Sequence, residues 1–180
     1  MPVTSDELLD AAVPVLTRDR GASMKEIATA AGVSRTTLIR FFPTRDVLMD
    51  ALARRAVAEA ARALDAAALE SDPVPEAFAA LTQGFVPLAQ VWGLVYTDQQ
   101  VLAGPGMQDA ADRIGERIDA FFARGQSEGF FRQDVPAEWI SYSFSGLAET
   151  ATELIREGLM GPKQAPGYLA RILFEGAAAR

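Results

Sequence analysis

The sequence contains no cysteine and no histidine, and only two of its seventeen basic residues, Lys25 and Lys163, are lysine. Without cysteine and histidine there is no disulfide, no thiolate or imidazole zinc site and no catalytic pair that uses an imidazole base. A run of 18 apolar, uncharged residues is also missing, and the N-terminus lacks a basic segment followed by an apolar one. These absences predict a cytoplasmic protein with no membrane span, no metal, no cofactor and no catalytic role.

The composition is otherwise that of an ordinary globular protein, but its charge is unevenly distributed. Hydrophobic residues make up 49% of the 180 residues and charged residues 23%, enough for one or two small domains with a sizeable core. The net charge is −7, yet residues 18–45 contain six basic and two acidic residues, a local charge of +4. Residues 51–180 contain eleven basic and seventeen acidic residues, a charge of −6. A nucleic-acid partner would therefore meet the N-terminal segment.

Helical periodicity dominates the sequence, and three short helices are predicted at its start. Apolar residues at helical spacing indicate a first helix over residues 8–20, and Pro14 inside it is expected to bend or loosen that helix. Residues 23–26 read S-x-x-E, a capping box that starts a second helix. Gly32 can supply the positive φ of a tight turn, and Ser34 caps a third helix. Two short helices joined by such a turn are typical of a helix-turn-helix.

The third helix is predicted to have one buried face and one free face. Leu38 and Phe42 are four residues apart and can pack inward together. Arginine and threonine on the opposite face can read base edges in the major groove. Thr44 caps a fourth helix whose free N–H groups, with Arg45, suit a DNA phosphate. The residues predicted to contact DNA are Lys25, Ser34, Arg35, Thr36, Thr37, Ile39, Arg40, Thr44 and Arg45. The alternative is an ordinary helical hairpin with a solvated face.

The segment SMKEIATAAGVSRTTLIRFFPTRDVLMDAL resembles the DNA-binding signature of the TetR family of bacterial transcriptional regulators. The resemblance implies an all-α homodimer with an N-terminal three-helix helix-turn-helix domain, residues 1–47, and a larger helical ligand-binding and dimerisation domain, residues 48–180, about nine helices in total. The implied function is sequence-specific binding to a palindromic operator in double-stranded DNA. It also implies a repressor that is released by a small, mostly apolar ligand. The matching residues are Ile27, Ala28, Ala31, Gly32, Val33, Ser34, Thr37, Leu38, Phe42, Arg45 and Leu48.

Three features depart from the family pattern. Ile39 stands where the family usually has a tyrosine that touches a phosphate, and Arg45 stands where lysine is usual. The N-terminal segment MPVTSDELLD is acidic where basic residues are common. Each phosphate contact contributes to affinity and to its salt dependence, so weaker or more salt-sensitive DNA binding is expected. The alternative is a helical interaction or ligand-binding module of the same fold that has lost DNA binding.

The rest of the sequence predicts further helices that form the ligand pocket and the dimer interface. The fourth helix is expected over residues 45–70, and Gly84 and Pro87 are expected to kink the fifth. The last two helices are expected over residues 136–157 and 162–178. The candidate pocket residues are Phe85, Trp92, Tyr96, Phe121, Tyr142 and Glu149, with Trp139 as a further wall and Gln99 and Ser145 as further polar groups. In family members the last two helices pair between subunits, and the candidate interface residues here are Phe144, Leu147, Ala151, Leu154, Ile155, Leu169, Ile172 and Leu173.

Two simpler interpretations apply to these C-terminal residues. Any one of the pocket and interface residues can instead belong to the core of a single chain. A helical enzyme that works through paired carboxylates is a further alternative, for which Glu149 and Glu153, four residues apart, are the candidate pair.

Overall fold

The structure is a computed structural model that describes residues 3–96, 104 and 106–177, without the side chains of residues 96 and 177. This part of the chain is helical, as the sequence predicts. Its elements are α1 Ser5–Arg18, α2 Met24–Ala30, α3 Arg35–Phe41, α4 Arg45–Ala66, α5 Val74–Phe85, a 3₁₀ turn Val86–Leu88, α6 Ala89–Tyr96, α7 Met107–Ser127, α8 Ala137–Arg156 and α9 Ala165–Ala177.

Capping boxes start the first two helices. At α2 the Ser23 hydroxyl accepts the N–H of Glu26 at 3.3 Å, and the Glu26 carboxylate accepts the N–H of Ser23 at 2.7 Å. These bonds hold the pKa of the Glu26 carboxyl below its usual value. The box predicted at residues 23–26 is confirmed. Thr4 and Glu7 form the same arrangement at α1, which therefore begins three residues before the predicted start.

The acidic N-terminus has structural roles. Asp6 and Glu7 lie in the first turn of α1, where negative charge interacts favourably with the helix dipole. Asp10 pairs with Arg55 of α4 at 2.8 Å, and Arg55 also donates to the carbonyl oxygen of Asp6 at 3.3 Å. α1 is continuous through Pro14, whose side chain is exposed. Water can therefore reach the backbone carbonyl that Pro14 leaves without a helical partner.

The chain divides into two compact units, and the first comprises Met1–Ala56 and Gln90–Gln108. Its core includes Leu94 of α6, which is 4% exposed, beside the apolar residues of α1 to α4. Arg20 also donates to the carbonyl oxygen of Gly93 at 3.3 Å. The core residues contributed by the first four helices include Leu8, Leu16, Ile27, Leu38, Leu48 and Leu52. A domain division between residues 47 and 48 stays a prediction.

Leu94→Ala is expected to lower the free energy of unfolding by about 2–5 kcal/mol, because it leaves a cavity in the core of the first unit. Urea denaturation at fixed protein concentration measures the loss. Val91→Ala is the matched control, because Val91 packs against the same core but is only partly buried. Equal urea midpoints for wild type and Leu94→Ala would show that α6 contributes nothing to this core.

The second unit comprises Val57–Ala89 and Asp109–Arg180, and phenylalanines fill its centre. Phe131 is fully buried and makes edge-on contacts with Phe78 and Phe121, at centroid distances of 5.6 and 6.2 Å. Phe122 lies 5.2 Å from Phe131 and 5.9 Å from Phe144. Edge-on and tilted ring pairs at such distances stabilise a core beyond their apolar area alone.

The fourth helix ends four residues before the predicted end, at Ala66. Ala68 adopts φ +47°, a conformation that stops a helix. Two arginines of α7 hold the following turn in place. Arg117 pairs with Asp65 at 2.8 Å and with Glu70 at 2.7 Å, and Arg124 donates to the backbone carbonyls of residues 69 and 72 at 2.8 and 2.9 Å. These contacts come from a distant part of the sequence, so helical periodicity did not reveal the end of α4.

The Arg117 cluster makes stability depend on pH. The hydrogen bonds from Arg117 hold the pKa of the Glu70 carboxyl below its usual value. A carboxyl with a lowered pKa contributes stability above its unfolded pKa, and this stability is lost as the pH falls through the folded pKa. The urea midpoint of Arg117→Gln is therefore expected to lie below that of wild type at neutral pH, with a gap that shrinks towards about pH 3. Arg113→Gln, at an exposed position of the same helix, is the control. A gap independent of pH would contradict the prediction.

The fifth helix is interrupted at Pro87, where the 3₁₀ turn Val86–Leu88 separates α5 from α6, whereas α5 runs on through Gly84. The most apolar 18-residue stretch of Val74–Val95 has a mean hydropathy of 1.3, and the segment is long enough to cross a bilayer by length and composition alone. Core helices pass the same test, and 44% of the most apolar stretch of this segment is buried inside the protein. Within α5, Phe78, Leu81 and Phe85 belong to the core.

Candidate nucleic-acid interface

Local contacts fix α3 in the first unit. The Ser34 hydroxyl accepts the N–H of Thr37 at 3.0 Å and caps the helix, and Gly32 turns the chain before it with φ +66°. Leu38 is fully buried and Phe42 is 3% exposed, so both anchor α3 in the core as the sequence predicts. Anchoring of one face leaves the opposite face of α3 free.

The free face of α3 is polar and basic. Arg35, Thr36 and Arg40 are exposed, while Ile39 is half-buried between the free face and the core. The guanidinium carbon of Arg40 lies 5.5 Å from the ring centroid of Phe41, within range of a cation–π contact. Lys25 is exposed on α2. The exposed side chains of Lys25, Arg35, Thr36 and Arg40 are together called the reading face below. It is suited to major-groove edges and phosphates.

Two residues predicted to contact DNA have partners inside the protein. The Thr44 hydroxyl accepts the N–H of Val47 at 3.2 Å and so caps α4. Arg45 differs from the expectation that it faces a phosphate, because its guanidinium donates to the carbonyl oxygens of Ala22, at 2.5 Å, and Arg20. Arg45 thereby joins the start of α4 to the loop between α1 and α2.

The candidate pocket residues that the structure describes lie in different surroundings. Phe85 and Phe121 are buried core residues, with rings packed against other phenylalanines. Tyr142, 71% exposed, and the exposed Glu149 lie on the outer face of α8, and their part in a ligand pocket stays a prediction. Trp92 is half-buried in the first unit. The side chain of Tyr96, and all of Gln99, lie outside the described residues.

Four of the candidate interface residues are already buried within one chain. They are Phe144, Ala151, Leu169 and Leu173, which pack in the core of the second unit, and their part in a dimer interface stays a prediction. Leu147, Leu154 and Ile155 are half-buried. Ile172 differs from them, since 60% of its surface is exposed.

The exposed apolar residues of the last two helices form a different surface from the one predicted. Trp139 is 69% exposed, and it lines an open groove of about 240 Å³ together with Ile172 and the half-buried Leu147. The spacing of three residues from Trp139 to Tyr142 places both on the face of α8 opposite the buried Phe144, which was the available sequence signal. The residues of this α8–α9 surface are Trp139, Tyr142, Tyr168 and Ile172.

Acidic residues do not form a metal site in the described part of the chain. No group of three or more aspartates and glutamates there lies close enough together to hold an ion.

Known regulators resemble this chain along most of its length. Residues 8–52 match the family described as bacterial regulatory proteins, tetR family. The HTH-type transcriptional repressor LfrR of Mycolicibacterium smegmatis is 31% identical over 156 residues, which cover 87% of this chain and 81% of LfrR. The HTH-type transcriptional regulator NfxB of Pseudomonas aeruginosa is 31% identical over 178 residues, which cover 97% of this chain and 95% of NfxB.

Solved structures show the same architecture. The crystal structure of LfrR from Mycobacterium smegmatis in complex with proflavine has a TM-score of 0.73 at 29% identity, over 95% of this chain and 94% of that one. The ketosteroid transcriptional regulator KstR2 of Mycobacterium tuberculosis, at 16% identity, shares the fold with a TM-score of 0.77, over 100% of this chain and 97% of that one. By sequence along most of its length, and by fold, the chain belongs to the TetR family of bacterial transcriptional regulators.

Proposed function

We propose that this chain works as a homodimeric repressor in the bacterial cytoplasm, where it binds a palindromic operator through α3 of each copy. The observation that carries the proposal is the reading face, which presents exposed arginines and a threonine from a helix anchored by Leu38 and Phe42. Two such helices fit successive major grooves when they lie about 34–36 Å apart. No catalytic role is proposed.

DNA affinity should rest on few phosphate contacts. The guanidinium of Arg45 is held by backbone carbonyls, and Ile39 has no hydroxyl to offer a phosphate. The cations left on the reading face are Lys25, Arg35 and Arg40. Each phosphate that they neutralise contributes about −0.9 to the slope of log K against log salt concentration. Binding should therefore be modest, with a shallower salt slope than that of a protein that makes more phosphate contacts.

The α8–α9 surface is the proposed dimer interface. Trp139, Tyr142 and Ile172 are each more than half exposed in one chain. Large aromatic side chains at the centre of an interface often dominate its binding energy. A second copy of the chain would cover them, and a two-fold axis would bring the same surface from each copy together.

The proposed effector is a small, mostly apolar molecule. LfrR, the relative named above, has been crystallised with proflavine, a planar aromatic cation. We therefore take this ligand class as the first candidate for this chain. A ligand weakens DNA binding only as far as it binds the DNA-free form more tightly than the DNA-bound form. The change in affinity that results from such coupling is typically about 5–150-fold.

Selection of random duplex DNA by the purified protein tests the proposal. Wild type should enrich a palindrome, while the double variant Arg35→Ala/Arg40→Ala should enrich nothing at matched salt. The variant should keep the helical content and oligomeric state of wild type, because both side chains are exposed. If folded, dimeric wild type enriches no sequence even at low salt, the chain is an interaction module of the same fold and the proposal fails.

Proflavine tests the ligand class in a separate titration on the selected duplex. Saturating proflavine is expected to weaken the affinity of the protein for that duplex. The matched control is free duplex at the same proflavine concentration, because a planar cation can also bind DNA directly. Saturable binding of proflavine to the protein with unchanged duplex affinity would exclude this class as the effector.

A further inference from the structure

We infer that the two arginines of α3 have separate tasks, with Arg35 reading a guanine in each half-site and Arg40 gripping the DNA backbone. The inference rests on the proposed function and assigns residue roles within it.

Arg35 is placed to read a base. It is the first residue of α3, and the N-terminal residues of a recognition helix contact base edges in the major groove. Its side chain is exposed, and no hydrogen bond or ion pair within the described residues holds its guanidinium. A free guanidinium at this position can donate two parallel hydrogen bonds to O6 and N7 of guanine, a pattern that only guanine presents.

Arg40 lies at the other end of the same helix. Five residues separate it from Arg35, about 7.5 Å along the helix axis, and the helical repeat rotates it by about 140°. Its guanidinium carbon lies 5.5 Å from the centroid of the Phe41 ring, and Phe41 lies on the helix side away from Arg35. The two guanidinium groups are therefore directed apart.

The contact with Phe41 leaves Arg40 suited to bind a phosphate of the DNA backbone. A guanidinium stacked on a ring keeps its N–H edge free, and this edge matches the paired oxygens of a phosphate. Arg40 also lies in the last turn of α3, at the opposite end of the helix from Arg35. An arginine at that end can meet a phosphate of the DNA backbone, and such contacts position the protein without specifying sequence.

The test measures the affinity of single protein variants for a panel of duplexes. Each duplex carries one base-pair substitution in one half-site of the selected operator. Arg35→Ala should flatten discrimination at one G·C pair by about 5–150-fold and leave the other positions unchanged. Arg40→Gln should lower the affinity for every duplex by a common factor and leave the ranking of the duplexes by affinity unchanged. It should also make the salt slope shallower by about 0.9 for each phosphate that is no longer neutralised, and Arg40→Lys should restore that slope.

Arg113→Gln, an exposed arginine of α7, controls for the loss of one positive charge and should change neither property. The inference is overturned if Arg40→Gln flattens discrimination at a single base pair, or if Arg35→Ala weakens every duplex equally. Failure of the proposed function gives a different result, because wild type itself would then bind every duplex with the same affinity.

Discussion

The double variant Trp139→Asp/Ile172→Asp is expected to be a monomer. Its affinity for a duplex with two half-sites should be lower than that of the wild-type dimer by about 10²–10⁴-fold. Both side chains line the same groove, and both are largely exposed in one chain. The double variant should therefore fold normally. In the dimer each aspartate would be buried without a partner, which disfavours association. The loss of affinity follows because two linked half-site contacts become independent ones.

Sedimentation equilibrium measures the mass of the variant, and a duplex titration at matched salt measures its affinity. Ala120→Asp/Ala123→Asp is the matched control, because it adds the same charge at two exposed positions of α7. The control should remain dimeric and bind as wild type does. A Trp139→Asp/Ile172→Asp protein that is still dimeric would place the interface elsewhere on the chain.

Phe131→Ala is expected to lower the free energy of unfolding by about 3–5 kcal/mol, a large part of the roughly 5–15 kcal/mol that stabilises most proteins. Phe131 is fully buried, and its ring contacts Phe78, Phe121 and Phe122. Its removal would leave a ring-sized cavity at the centre of the second unit. Phe130→Ala is the control. The ring of Phe130 is only half-buried, so its removal should lower the free energy of unfolding by less.

The same core predicts a compensating pair of substitutions. A Cβ atom at Gly125 would lie 2.7 Å from Cε2 of Phe131 and 3.2 Å from a methyl group of Val74, so Gly125→Ala overpacks the site. Phe131→Ala removes the obstructing ring atoms. The double variant should therefore lose less stability than the sum of the two single losses, as residues in contact often do. Urea denaturation at one protein concentration measures all four proteins, and additive losses would contradict this account of the core.

Sequence predicted the helix-turn-helix well because its signals are local. The capping box at residues 23–26, the positive φ at Gly32 and the cap at Ser34 each depend on residues within four positions. The pairing of Leu38 with Phe42 follows from the helical repeat in the same way. The signal for the break between α5 and α6 is also local, since Pro87 lacks the N–H that a continuous helix requires.

Sequence could not tell which apolar residues one chain buries, because burial depends on contacts between distant segments. α8 has apolar residues on two faces, and periodicity does not tell which face the rest of the chain covers. The structure buries Phe144 and leaves Trp139 and Tyr142 exposed. Arg45 has the charge that a phosphate contact needs, but the carbonyl oxygens near it come from the loop before α2.

The measurement that tests the regulator most directly compares the affinity of the protein for two duplexes. One is the selected palindrome, and the other is the same duplex with about five extra base pairs, half a helical turn, between its half-sites. A dimer that reads both half-sites should bind the original duplex with two copies of the chain. It should lose most of its affinity for the lengthened duplex, because the second half-site then faces the opposite side of the DNA. Equal affinity for both duplexes would contradict the account, since the two half-sites would then not be read together by one dimer.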